Sequence, residues 1–350
     1  MTLLRHLLDR FLPARPLAWD WVQVEVTSRC NASCLYCPRT LCGAAWRDAD
    51  LPWDLFERLL PSLGRARYVH LQSWGEPLLH PEFFRMLRAV KALGVRVGAT
   101  SNGVLLDPRT DPDMAGNLVS AGLDLVALSL AGTGPRHDAI RRGAPLGAVL
   151  RGIEALGKAK VEAGADRPEI HVAYMLLASD AEDAERLFDL LAGRGVHMVV
   201  VSTLDYVAAP HLAGEALAGA GPEAAARLAA RLSRLEESAR AHGIAFSHRA
   251  LRRKPGGCSE NVARACVVGV DGGVSPCVYG SVPVGDAVRS PEDGDPAAMA
   301  ARRHIRFGDV AGDRLEDIWN DKAYVVFRKN AARGRMPPAC QGCLKRLVGE

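Results

Sequence analysis

Three cysteines stand within eight residues in Cys30-Asn-Ala-Ser-Cys34-Leu-Tyr-Cys37, directly after a short apolar run from Val22 to Val26. The run reads as a strand, so the thiols fall on the loop at its carboxyl end. A cubane iron–sulfur cluster takes one protein ligand per iron. Three thiolates this close cover three corners and leave one iron open, the mark of a site that binds a small molecule. Spacing alone leaves zinc as a competitor, with Cys42 as fourth ligand in Cys-x4-Cys spacing from Cys37.

Five further cysteines, Cys258, Cys266, Cys277, Cys340 and Cys343, lie far downstream. They exceed what one cluster needs and fall short of two, so one auxiliary site is expected. Cys340-x2-Cys343 lets two sulfurs face one metal or cluster. Cys277 follows Pro276 and a hairpin expected from Ala265 to Cys277 around Asp271-Gly272-Gly273. The fourth ligand is Cys258 or Cys266. Cys258 is favoured because it follows the Pro255-Gly256-Gly257 loop, whereas Cys266 sits inside an expected strand, where a cysteine acts as a small hydrophobe. Four such cysteines also suit a structural zinc ribbon.

The elements that must position these thiols are legible as a repeat. Apolar runs at Val22 to Val26, Arg67 to Gln72, Arg96 to Thr100, Leu123 to Leu130, Ile170 to Leu177 and Met198 to Thr203 are each followed by helical periodicity. The helices are expected near 52–63, 81–93, 113–121, 146–163, 181–193 and 213–242. Six βα units imply a parallel sheet and fall short of a closed barrel. The expected fold is therefore α/β: a partial (β/α)6 TIM-like barrel with a small Cys-rich α+β extension at the carboxyl terminus. Residues 1–20 form an amphipathic helix (2–12) and linker, 21–245 the barrel and 246–350 the auxiliary domain, with the boundary in the loop around Arg252 to Gly257.

Length and composition fit this plan. The chain has 350 residues, 48% hydrophobic, which excludes disordered and fibrous classes. A net charge of +4 is too small to argue for nucleic acid as partner. No apolar run reaches a membrane span and no secretory signal is recognisable, so a cytoplasmic location is expected.

The Cys-x3-Cys-x2-Cys motif after the first strand resembles the signature of the radical S-adenosylmethionine (SAM) superfamily. Ser73-Trp74-Gly75-Glu76-Pro77, closing the second strand, resembles that family's Gly-Gly-Glu-Pro motif, with Ser73 and Trp74 in place of small residues. Thr100-Ser101-Asn102-Gly103 is similar to its Thr-Asn-Gly loop, with one residue inserted. Ser129-Leu-Ala-Gly132 resembles its segment near the ribose and carboxylate, and Arg142 falls in an Ile-Arg-x-Gly-like stretch. Each is weak alone, because polar residues commonly close parallel strands as caps. Their order at successive strand ends carries the likeness. The distal cysteines, with Phe307-Gly-Asp-Val and Leu315-Glu-Asp-Ile-Trp319, resemble Twitch and SPASM extensions, the one-cluster Twitch form fitting better.

The resemblance implies a 4Fe-4S cluster on Cys30, Cys34 and Cys37 whose open iron chelates SAM, and a second 4Fe-4S cluster on Cys258, Cys277, Cys340 and Cys343. It implies SAM contacts from Gly75, Glu76, Pro77, Asn102, Ser129 and Arg142, with Tyr36 either packing near the adenine or serving as a core tyrosine. An electron from the reduced cluster would break a carbon–sulfur bond of SAM, and the 5'-deoxyadenosyl radical would take hydrogen from a substrate. Oxidation aided by the auxiliary cluster is the leading reaction; a peptide- or protein-modifying maturase and a non-catalytic zinc-binding interaction protein are the alternatives. The implied partners are a small-molecule, peptide or protein substrate and an electron donor such as flavodoxin or ferredoxin. Glu169, His171, Tyr174, Asp205 and Tyr206 are candidate pocket residues near strand ends.

Overall fold

The computed structural model describes residues 18–180, 183–217, 222–248, 258, 260–283, 304–340 and 343–346. The helix expected at 2–12 and the boundary loop from Arg252 to Gly257 lie outside the described residues.

The expected alternation is present. In chain order the barrel comprises β1 (Trp21–Val24), α1 (Pro38–Cys42), α2 (Trp53–Leu63), β2 (Tyr68–Leu71), α3 (Phe83–Ala92), β3 (Arg96–Ser101), α4 (Met114–Ser120) and β4 (Leu125–Leu130). It continues with α5 (Pro135–Ile140), α6 (Leu146–Glu162), β5 (Glu169–Leu176), α7 (Leu187–Leu191), β6 (Met198–Thr203), α8 (Pro222–Ala241) and β7 (Ala245–His248). Strands β1 to β7 pair in sequence order, all parallel. The result is an open, partial barrel.

Two helical expectations change. The stretch at 181–193 resolves into a 3-10 turn, Asp183–Arg186, followed by the short α7. The stretch at 213–242 becomes a 3-10 segment, Pro210–Glu215, and α8, which begins at Pro222. Proline at a helix start fits its fixed φ and missing N–H. Strand β7 was not expected; its four residues, Ala-Phe-Ser-His, carry too short a pattern to read.

The carboxyl-terminal segment adds β8 (Ala265–Val268), β9 (Gly273–Ser275), β10 (Gly308–Asp309), α9 (Leu315–Asn320) and α10 (Lys322–Ala332). β8 pairs parallel with β1, and β9 and β10 follow antiparallel, so the ten strands form one sheet. The distal hairpin is therefore hydrogen-bonded to the strand that leads into the first cysteine loop.

Period-two burial explains how the sheet makes a site. Along β4, β5 and β6, Val126, Leu128, Ile170, Val172, Val199 and Val201 are buried in one core with Val149, Ile153 and Leu156 of α6 and Leu187 and Phe188 of α7. The alternate face carries Ser129, Ala173, Met175 and Ser202, which line a cavity at the carboxyl ends of the strands. Small residues there leave room for a ligand.

Candidate active site

The cavity, about 250 Å³, brings Cys30, Cys34 and Cys37 together with Tyr36, Gly75, Glu76, Asn102, Ser129 and Arg141. Backbone bonds hold the cysteine loop from both sides. Ser33 N–H donates to the Arg142 carbonyl (2.8 Å) and Leu35 N–H to the Ile140 carbonyl (3.0 Å), while Glu76 N–H donates to the Arg29 carbonyl (2.8 Å). Asn102 Nδ2 donates to Asn31 Oδ1 (2.6 Å) and reaches Cys30 Sγ (3.8 Å). Cys37 then caps α1, whose first residue is Pro38.

Glycine is obligatory at two points of this frame. A Cβ on Gly75 would stand 2.2 Å from the Thr27 carbonyl oxygen, so the second strand-end loop lies directly on the first. Gly143 has φ +86° and its Cβ would stand 2.8 Å from the Asn31 carbonyl oxygen.

Glu76 is buried and ties strand ends together. One carboxylate oxygen accepts from Asn102 N–H (2.6 Å), the other from Leu78 N–H (3.3 Å). Burial pushes its carboxyl up to about 7, against those bonds. Pro77 starts a buried 3-10 turn and does not line the cavity. Ser129 lies on the cavity wall.

The arginine expected at the site is displaced by one position. Arg142 is exposed, and its contribution to the frame is its backbone carbonyl. Arg141 is buried instead, its Nη1 donating to the Tyr36 hydroxyl (2.5 Å), while its buried Nε finds no partner. The physical reason is the end of α5 at Ile140: the chain turns there, sending adjacent arginines to opposite sides. Two consecutive arginines gave the sequence no means to choose.

The electrostatics suit a cationic cluster. Burial, then repulsion from Cys34, pushes the Cys37 thiol up to about 12, and burial raises Cys30 as well. A metal cation bound beside them would favour the thiolate form that ligation requires. Among the described residues no three His, Cys, Asp or Glu side chains converge where one metal ion could sit. The three thiols line one cavity and pack together with Ala32, Tyr36 and Ala144. The unpartnered Arg141 Nε offers a donor for a carboxylate at the same place. Cys42 packs among Tyr206, Ala208 and Val282 and does not line the cavity.

The far wall contains Tyr174, Met175, Ser202, Asp205 and Tyr206 from β5, β6 and their loops, with Trp74 and Tyr279. Tyr174, Asp205 and Tyr206 thus reach the cavity, whereas Glu169 and His171, at the opposite end of β5, do not. Tyr206 and Tyr279 stack (5.3 Å between ring centroids), and Trp74 contacts both at 5.9 Å. Trp74 Nε1 also donates to the Val278 carbonyl (3.2 Å). The tryptophan that departs from the small-residue motif therefore joins the barrel to the loop after Cys277. Sequence reasoning did not find Tyr279 or Arg141.

In the extension, the charges that act on Cys277 include those of Cys258 and Cys343, and Cys258 also feels Cys343. Cys340 and Cys343 share a turn, Cys343 N–H donating to the Cys340 carbonyl (3.3 Å). Cys266 is fully buried in the core on β8, and burial drives its thiol far above the usual range.

Comparison with known proteins follows the same division. The radical SAM superfamily model matches residues 24–191, and the SPASM model, an iron-sulfur cluster-binding domain, matches 258–344. The chain is 30% identical over 190 residues to the tungsten-containing aldehyde ferredoxin oxidoreductase cofactor-modifying protein of Pyrococcus furiosus, covering 53% of this chain and 51% of that one. It is 40% identical over 114 residues to the GTP 3',8-cyclase of Chlorobaculum tepidum, 32% of each. The chain thus matches about half or less of the length of these curated relatives. In fold it is similar to anSMEcpe with bound AdoMet (TM-score 0.64, 17% identity, 94% of this chain and 88% of that). Streptococcus suis SuiB bound to S-adenosylmethionine is likewise similar (TM-score 0.64, 13% identity, 98% and 74%). With one model covering the first cysteine loop and its strand ends and the other spanning all five distal cysteines, the chain carries a region matching the radical SAM superfamily over residues 24–191 and one matching the SPASM iron-sulfur domain over 258–344.

Proposed function

We propose that this chain is a radical SAM oxidoreductase or maturase in which Cys30, Cys34 and Cys37 hold the SAM-binding 4Fe-4S cluster and Cys258, Cys277, Cys340 and Cys343 hold a second one. The observation that carries the reading is a single cavity containing three thiols, a buried arginine with a vacant Nε donor, and Glu76 fixed across two strand ends. When bound, the cluster and SAM together supply reductive carbon–sulfur cleavage and a 5'-deoxyadenosyl radical.

The chain's own residues position and shield that chemistry. Gly75 lets the motif backbone lie against the cysteine loop, and Glu76 fixes Asn102 beside Cys30. Arg141 presents its Nε to a carboxylate and uses Nη1 to hold Tyr36. Trp74, Tyr206 and Tyr279 form an apolar wall that keeps water from a reactive radical. The loop after Cys277 is part of that wall, so a cluster held by Cys277 with Cys258, Cys340 and Cys343 would supply an electron acceptor on the substrate side. Oxidation follows as the reaction class. A substrate, whether small molecule, peptide or protein, has to present its hydrogen past Met175, Ser202 and Asp205.

An external one-electron donor such as flavodoxin or ferredoxin is part of the proposal. A cytoplasmic location is part of the proposal, because a reducing compartment keeps cysteines available to iron. Among the described residues no helix is long and apolar enough to cross a membrane. Electron paramagnetic resonance tests the two-site assignment. In the reduced holoprotein, SAM should shift the signal of one cluster and leave the other unchanged. Two signals that both ignore SAM would overturn it.

A further inference from the structure

Three residues of the extension meet at one point, and each stands two positions beyond an assigned auxiliary cysteine. Glu260 follows Cys258, Tyr279 follows Cys277 and Lys345 follows Cys343. The Lys345 ammonium lies 3.0 Å from Glu260 Oε1 and 5.5 Å from the centroid of the Tyr279 ring. It also lies 2.9 Å from Asp205 Oδ2, and Asp205 belongs to the barrel, just past β6, on the cavity wall. The other Asp205 oxygen accepts from Thr203 Oγ1 (3.0 Å). Lys345 and Asp205 are both buried. A buried lysine ordinarily costs too much to keep without close partners. Here two carboxylates and an aromatic face supply them, drawn from three separate arms of the chain.

We propose that Lys345 is a positioning residue that ties the arms bearing the auxiliary cluster to the cavity wall at Asp205. The proposal rests on the auxiliary-cluster reading above. It gives the cavity wall and the distal cysteines a shared fastening: what loosens Asp205 also loosens the loops carrying Cys258, Cys277 and Cys343. Losing Lys345 would leave the Asp205 and Glu260 carboxylates without their shared cation, and losing Asp205 would leave Lys345 held by Glu260 alone and cut off from the barrel.

The test uses the full chain with Cys30, Cys34 and Cys37 all changed to Ala, so that only the auxiliary iron remains. Iron release to bathophenanthroline disulfonate is followed anaerobically in this parent and after adding Lys345→Met, Lys345→Arg or Asp205→Asn. Lys345→Met and Asp205→Asn should each release iron roughly tenfold faster, the lower end of what losing a residue that supports metal ligands costs. Lys345→Arg should stay near the parent. Asp205→Asn is decisive because it alters the barrel side and leaves the cysteine arms unchanged in sequence; it also keeps the test open if Lys345→Met fails to fold. Parent-like release from Asp205→Asn overturns the proposal. A parent that takes up no iron overturns the auxiliary-cluster reading itself, and the proposal with it.

Discussion

Arg141 and Arg142 are neighbours of identical type with opposite fates. Arg141 is buried with a vacant Nε at the cavity; Arg142 is exposed. Removing a charged hydrogen-bond donor at a ligand carboxylate costs about 2 kcal/mol, or roughly thirtyfold in affinity. Arg141→Gln should therefore weaken SAM binding to the reconstituted protein by that factor in isothermal titration calorimetry. Arg142→Gln should change it by no more than about twofold, as surface substitutions do. The reverse ranking would return the role to Arg142. The shared loop of Cys30, Cys34 and Cys37 was readable at this scale because three thiols within eight residues after a strand end must face one site, although that spacing alone admits zinc as well. Arg141 was not, since the choice depends on where α5 stops.

At the scale of elements, the order of strand ends carried the site. Period-two and helical patterns located β1 through β6, and the motif residues Glu76, Asn102 and Ser129 then fell at consecutive strand ends, close to their observed places. The contact of Gly75 with the cysteine loop was not visible in that pattern. Gly75→Ala would press a methyl group onto the Thr27 carbonyl and force the two loops apart. The cost should be about 3 kcal/mol, measured by urea unfolding of the cluster-free chain. Wild-type stability would mean that the two loops do not press together as described. β7, α7 and the broken sixth helix escaped the sequence because elements of four to six residues repeat their pattern at most twice, too few times to stand out.

At the scale of the molecule, contacts between residues well over a hundred positions apart join barrel and extension, and no local pattern reports them. Trp74 meets Val278, Asp205 meets Lys345, and Glu25 of the barrel accepts from both Trp74 N–H (3.3 Å) and Val270 N–H (3.2 Å). Glu25 is fully buried, and burial raises its carboxyl to about 7. Its native proton is thus held more tightly than in the unfolded chain, so its contribution to stability is full below its unfolded value and falls as pH rises through about 7. Between pH 5 and 7 the cluster-free chain should lose stability with pH, and Glu25→Gln should reduce that slope by up to about 1.4 kcal/mol per pH unit. Denaturant unfolding across that range checks the sign. An unchanged slope would mean that Glu25 is ionised in the native protein.

Anaerobically reconstituted protein should bind about eight irons, four at each site, and the first site has the more demanding task. The most direct measurement is formation of 5'-deoxyadenosine from SAM after reduction with dithionite. The wild-type chain should produce it, and Cys34→Ala, which removes one of three cluster ligands, should produce none. Deoxyadenosine formation that survives Cys34→Ala would contradict the assignment of Cys30, Cys34 and Cys37 as the SAM-cleaving site.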